Sequence, residues 1–208
     1  MHPTAFLHQL VVDPEYRDEL VHVERIPESA GEYGTLRHEL TDALRRRLLR
    51  LGIDEFYKHQ AVAIDCALEG RHIVVNSPSA SGKSLCYQIP TLHALSGDAR
   101  GTALYLFPTK ALAQDQLASL RTLAVRGLIE GRAIETFDGD TPQEARSAIR
   151  RRARVLITNP DMLHLGILPN HRLWSRYLRG LRFVVIDEAH TYRGVLGAHI
   201  ANLIRRLS

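Results

Sequence analysis

The 208 residues are 45% hydrophobic and 24% charged, a composition that suits one sizeable globular core and is short for two complete domains of ordinary size. No apolar run approaches the roughly 20 residues that cross a bilayer, and the N-terminal MHPTAFLHQLVVDPEYRDEL carries acidic residues and a proline, unlike a secretory leader, so a cytoplasmic protein is expected. The net charge of +4 is compatible with a polyanionic partner without identifying one.

Residues 1–34 show weak periodicity, broken by Pro14, Pro27, Gly31 and Gly34, with one alternating stretch, VHVERIP, that reads as an edge strand. They are expected to form an N-terminal extension to a main domain over 35–208. From Thr35 to Leu51 leucines recur at helical spacing opposite an arginine-rich face, and Gly52 follows as a helix-stopping residue. Cys66 and Cys86 have no CxxC partner and no neighbouring cysteine–histidine cluster, so two buried reduced thiols are expected rather than a disulfide or metal site.

Short β-branched runs then alternate with helical segments. Strands are predicted at His72–Asn76, Ala103–Phe107, Ala133–Phe137, Val155–Thr158 and Phe183–Ile186, and helices at Gln60–Leu68, Lys83–Leu95, Lys110–Val125, Pro142–Arg152 and Gly197–Leu207. That alternation implies an α/β fold, a doubly wound parallel sheet flanked by helices, with ligands at the carboxyl ends of the strands. Only Lys58, Lys83 and Lys110 are lysine, and the other basic residues are arginine.

After the strand HIVV comes NSPSASGKSLCYQIP, whose Gly82, Lys83 and Ser84 match the end of the phosphate-loop pattern GxxxxGK[ST], with Ser77 where the first glycine is usual. A loop over Ser79, Ala80, Ser81 and Gly82 turns backbone N–H groups toward phosphate, with the helix N-terminus behind it. Lys83 is placed to neutralise the β and γ phosphates of ATP, and Ser84 to put its hydroxyl on Mg²⁺. Further on, LRFVVIDEAH ends a strand in two carboxylates. Asp187 is suited to hold the metal and Glu188 to orient or deprotonate the attacking water, while His190 reads either as a site residue or as an exposed turn residue.

SPSASGKS and DEAH resemble motifs I and II of superfamily 2 helicases, which implies a RecA-like domain. Between them FPTKALAQDQ, FDGDT and ITNPDMLH resemble the loops that hold one nucleic-acid strand by its phosphates in that family. The resemblance implies strand contacts from Pro108, Thr109, Lys110, Gly139, Asp140, Thr141, Thr158 and Asn159, and gives Arg193 and Gly194 a place beside the same channel. The chemistry agrees, since hydroxyls, an ammonium and helix N-termini all suit phosphate and carry no base specificity. FYKHQAVAI is similar to the adenine-reading segment, with Gln60 on the base edge and Tyr57 stacking on the ring.

GKSLCYQIP is similar to the RecQ helicases, whereas TYRGVLGAHIANLIRRL, with the GDT and TNPDMLH forms, resembles the MrfA-like DEAH-box group of DNA-repair helicases that move 3′ to 5′. The resemblance therefore implies an ATP- and Mg²⁺-dependent motor on single-stranded or partly duplex DNA, associated with the nucleoid. Because the sequence ends soon after DEAH, a second RecA-like domain is expected in a longer chain, and the isolated piece is expected to be nearly inactive. A nucleotide-gated binding module of a larger repair or defence complex, and an RNA helicase, are the alternatives.

Overall fold

The computed structural model describes residues 3–16, 19, 21–24, 31–78, 81–125 and 127–207. The chain divides into two units, 1–31 and 32–208. In the first, helix α1 (Pro3–Val12) is the regular element. Residues 21–24 of VHVERIP form no strand, and 25–27 lie outside the described residues.

The second unit opens with β1 (Tyr33–Gly34), α2 (Asp42–Arg50), β2 (Phe56–Tyr57) and α3 (Lys58–Leu68). β1 pairs antiparallel with β2. The helix predicted from Thr35 begins only at Asp42 because the buried Asp65 of α3 captures the chain before it. Its carboxylate accepts from the backbone N–H groups of Arg37 and His38 at 3.0 to 3.2 Å and from His38 Nδ1 at 2.9 Å. Burial raises this carboxyl's pKa, but the hydrogen bonds outweigh it and hold the group below its ordinary value. At the other end Gly52 takes the left-handed φ of +73° that ends α2, as its sequence position predicts.

There follow α4 (Leu85–Gly97), β3 (Thr102–Leu106), α5 (Lys110–Leu123), β4 (Ile134–Thr136), α6 (Gln143–Arg152) and β5 (Val155–Thr158). After them come a short α7 (Pro160–Met162) running into a π-helical turn at Leu163–Ile167, then α8 (Ser175–Arg179), β6 (Leu181–Ile186) and α9 (Gly194–Arg205). The sheet has the order β4-β5-β3-β6 and is parallel throughout. α8 and the π-helical turn had no counterpart among the predicted helices.

Successive residues of β3 face opposite layers. Ala103 and Tyr105 enter one core with Leu44, Ile64, Ile89, Leu92 and Leu120 from α2 to α5. Leu104 and Leu106 enter the other with Ile149, Leu163, Trp174, Tyr177 and Leu203. The second core is organised by aromatics, with Trp174 edge-on to Phe137 at 4.9 Å and to Tyr177 at 5.8 Å. Each such contact contributes about 0.5 to 1.5 kcal/mol beyond burial.

The strand predicted at His72–Asn76 does not form: residues 71–78 have no regular structure and Val74 is 97% exposed. A parallel strand is stabilised by hydrogen-bonded neighbours and by burial on both faces, and this segment has neither. β6 is an edge strand of the sheet, with exposure alternating along it. Four of the five expected strands therefore form, and they make up the parallel sheet.

Candidate functional site

Because all four strands run parallel, their carboxyl ends lie along one edge. Pairing persists to the ends: Phe107 N–H donates to Thr158 O at 2.9 Å, Phe137 N–H to Ile157 O at 2.9 Å and Asp187 N–H to Leu106 O at 3.0 Å. The turns carrying Pro108 to Lys110, Asp138 to Thr141, Asn159 and Asp187 to His190 are thus held by adjacent strands.

The phosphate loop enters this edge through α4. Gly82 has a φ of +72°, which a side chain rarely adopts, and a Cβ there would lie 2.4 Å from Gln60 Nε2. Lys83 Nζ donates to the carbonyls of Ser77 and Pro78, each at 2.8 Å, and Ser77 Oγ lies 2.6 Å from Ser81 Oγ. Among the described residues Lys83 has no carboxylate partner, so its charge rests on neutral carbonyls and is suited to receive an anion. Ser79 and Ala80 lie outside the described residues. The buried Cys86 thiol has its pKa pushed up to about 11, chiefly by burial, which keeps it inert, whereas Cys66 is half-buried.

Gln60 is 3% exposed and fully engaged: Nε2 donates to Gly82 O at 3.0 Å, and Oε1 accepts from Tyr57 N–H at 3.0 Å. It ties the start of α3 to the phosphate loop. Tyr57 stacks on Tyr33 at 5.2 Å and on His59 at 5.9 Å, so its ring sits in an aromatic row beside that tie. A separate cavity of about 620 Å³, lined by Gly34, His38, Arg45, Leu48, Ile53 and Phe56 among others, lies between β1, α2 and β2.

At the end of β6, Asp187 Oδ1 accepts from Glu188 N–H at 2.9 Å and Oδ2 from the Tyr87 hydroxyl at 3.0 Å. Tyr87 lies one turn into α4, so this bond fixes the phosphate-loop helix to the DEAH carboxylate. Glu188 is the one non-glycine residue with positive φ among those described, at φ +48° and ψ +40°. Such a conformation costs about 1 to 3 kcal/mol and is concentrated at functional sites. Its carboxylate lies 3.2 Å from Nδ1 of the exposed His190, and its carbonyl accepts from Thr191 Oγ1 at 2.8 Å.

Hard oxygen donors suit Mg²⁺. The Ser84 side chain makes no capping hydrogen bond. Asp187 receives only a phenol and an amide, with no cationic side chain paired to it among the described residues. Both groups therefore fit a metal between the start of α4 and the end of β6, beside an anion at Lys83.

The strand-facing candidates share the edge. Thr109 caps α5, accepting from Leu112 N–H at 3.3 Å, and Asn159 caps α7, accepting from Met162 N–H at 2.8 Å. Lys110 pairs with Asp140, so two of the candidates neutralise each other until a phosphate competes. Thr141 accepts from Asp138 N–H at 2.9 Å and closes the turn that also holds Gly139. Thr158 is 3% exposed and its hydroxyl donates to Phe137 O, which turns that side chain inward. Arg193 donates to His190 O at 2.8 Å, in the turn before α9.

Four residues at this edge escaped the reading of the sequence as site residues. Tyr87, Gln88 and Gln116 connect α4, α5 and Asp187, and their signal was only that they fall inside recognised motifs. Tyr192, just after DEAH, has a buried hydroxyl without a partner among the described residues, and burial, with Asp187 and Asp161 nearby, pushes its pKa up to about 12.

A parallel sheet with a phosphate loop and a strand-end carboxylate pair on one edge defines a RecA-like nucleotide-binding domain. The chain belongs to the DEAD/DEAH box helicase family, which residues 57–208 match. It is 41% identical to the ATP-dependent helicase YprA of Bacillus subtilis over 97% of this chain and 27% of that protein. It is equally 41% identical to the ATP-dependent helicase hrq1 of Schizosaccharomyces pombe, over 97% of this chain and 19% of the other. The crystal structure of the DUF1998 helicase MrfA bound to DNA and AMPPNP superposes with a TM-score of 0.81 at 42% identity, covering 88% of this chain and 26% of that one. The chain thus spans about a quarter or less of the length of these three relatives.

Proposed function

We propose that this chain is the ATP-binding half of an ATP-dependent 3′ to 5′ DNA helicase with a role in repair, organised as an extension over 1–34 and a RecA-like domain over 35–208. The observation that carries this reading is the single sheet edge on which Lys83, Ser84, Asp187 and Glu188 meet the turns at Thr109, Lys110, Thr141 and Asn159. A bound strand and a bound nucleotide then share one set of strand ends, as coupled motion along DNA requires. The relative MrfA, bound to DNA and AMPPNP, supports the same pairing of ligands.

In this reading Lys83 leaves the carbonyls of Ser77 and Pro78 for the β and γ phosphates of ATP, and Gly82 admits them close to the backbone. Ser84 and Asp187 hold Mg²⁺, which when bound offsets charge on the phosphate oxygens. Glu188 aligns the attacking water and accepts its proton, with His190 Nδ1 beside its carboxylate. A second RecA-like domain supplies the opposite wall of the cleft. Gln60 and Tyr57 flank the adenine end, Lys110 exchanges Asp140 for a strand phosphate, and Arg193 borders the strand beyond DEAH.

The test is ATP turnover in the longer protein that contains this chain, with single-stranded DNA or RNA added. Oligo-dT is expected to stimulate turnover at least about tenfold, and several phosphate contacts make strand binding fall steeply with salt. Stimulation by RNA alone would favour an RNA helicase. Absence of stimulation by either would favour a binding module without motor activity.

A further inference from the structure

The Tyr87 hydroxyl faces two acceptors and has one hydrogen to give them. It lies 3.0 Å from Gln116 Oε1 and 3.0 Å from Asp187 Oδ2, two acceptors on elements 71 residues apart in the chain. A phenol donates one hydrogen, so one acceptor takes it or the two share it poorly. The choice is not symmetrical. Gln116 Oε1 also accepts from Gln88 Nε2 at 2.8 Å and stays satisfied when Tyr87 turns away, while Asp187 is charged and draws the proton more strongly.

The junction is held rigidly. Gln88 is fully buried, with its Nε2 3.2 Å from Ser119 Oγ on the next turn of α5. The Tyr87 ring meets Tyr105 of β3 edge-on at 5.2 Å. Burial, with the Asp187 carboxylate beside it, pushes the phenol's pKa well above its ordinary value, so the proton stays in place.

We infer that Tyr87 is a positioning residue whose shared proton couples the strand-facing helix α5 to the metal-holding carboxylate of Asp187. The inference rests on the proposed function and adds to it the route between the two ligands. A cation held by Asp187 would weaken the carboxylate's demand for the Tyr87 hydrogen bond. The Tyr87 hydroxyl then directs its hydrogen bond to Gln116 Oε1 and adds to the Gln88 bonds that already join α4 to α5. Because α5 begins at Thr109 and Lys110, that tie favours one placement of the strand-binding turn. Linkage makes the effect reciprocal, so a bound strand tightens nucleotide binding by the same factor.

The experiment measures the affinity of this chain for a fluorescent non-hydrolysable ATP analogue with Mg²⁺, with and without saturating oligo-dT, in the wild type, Tyr87→Phe, Gln116→Leu and the double variant. In the wild type the strand is expected to tighten nucleotide binding about tenfold, within the usual range of such couplings. Tyr87→Phe keeps the ring and loses the proton. Its coupling is expected to fall near onefold, with analogue affinity lost mainly where the strand is bound. Gln116→Leu is expected to lose the same coupling, and the double variant no more than either single change.

Coupling retained in Tyr87→Phe would overturn the inference while leaving the functional reading intact. An equal loss of analogue affinity with and without strand would also overturn it, by assigning Tyr87 a merely structural role. A wild-type chain that binds neither analogue nor oligo-dT would overturn the functional reading and the inference with it.

Discussion

Glutamine in place of Glu188 is expected to lower ATP turnover by about 100- to 10,000-fold, the range of a lost general base, in the longer protein that contains this chain. The substitution keeps the shape of the side chain and its left-handed backbone at φ +48°, so the water loses its proton acceptor while the turn stays in place. Binding of ATP with Mg²⁺ is expected to stay within about threefold, because the binding groups, Lys83, Ser84 and Asp187, are untouched. Single-turnover kinetics separate the two quantities. Turnover above a tenth of the parent's would remove Glu188 from the chemistry.

The second large effect is on binding. Lys83→Ala is expected to weaken ATP affinity by about 100-fold, matching the loss of charge-assisted hydrogen bonds worth roughly 3 kcal/mol. The structure gives a reason to expect binding rather than folding to suffer. The Lys83 ammonium rests on the carbonyls of Ser77 and Pro78, a loop-internal contact that the proposed function has nucleotide exchange for phosphate. Equilibrium titration of the chain with ATP and Mg²⁺ measures this directly, alongside its thermal unfolding midpoint as a check on the fold. Unchanged affinity would place the phosphates elsewhere.

What the sequence made legible was local. Gly82, Lys83 and Ser84 are contiguous, Asp187 and Glu188 end one apolar run, and Gly52 stops a helix, so composition and spacing sufficed for each. Strands β3 and β5 were readable as continuous apolar runs because they are buried along their whole length, and the edge strands β4 and β6 form beside them although they are partly exposed. His72–Asn76 has the same composition but no neighbour to pair with, and strand propensity without a partner forms no sheet. The late start of α2 depends on Asp65, which sits in the next helix and holds the backbone of Arg37 and His38.

The same limit applies within the site. Tyr87, Gln116 and Asp187 meet only after β3 and β6 pair and α4 and α5 pack, and no short pattern encodes a contact between residues 100 positions apart. Thr158 sat in a motif that suggested a strand contact, yet its place at the end of β5 turns the hydroxyl toward Phe137 O. Gln60 was singled out in the sequence as an amide suited to a base edge, while its bond to Gly82 O required the fold.

The central claim, that one sheet edge gathers the phosphate loop and the DEAH carboxylates around a single nucleotide, is tested most directly by a structure of this chain with Mg²⁺ and a non-hydrolysable ATP analogue. The account predicts Lys83 Nζ released from Ser77 and Pro78 and bound to phosphate, with the metal between Ser84 and Asp187. A nucleotide seated instead in the cavity between β1, α2 and β2, with Lys83 still on its own loop, would contradict it.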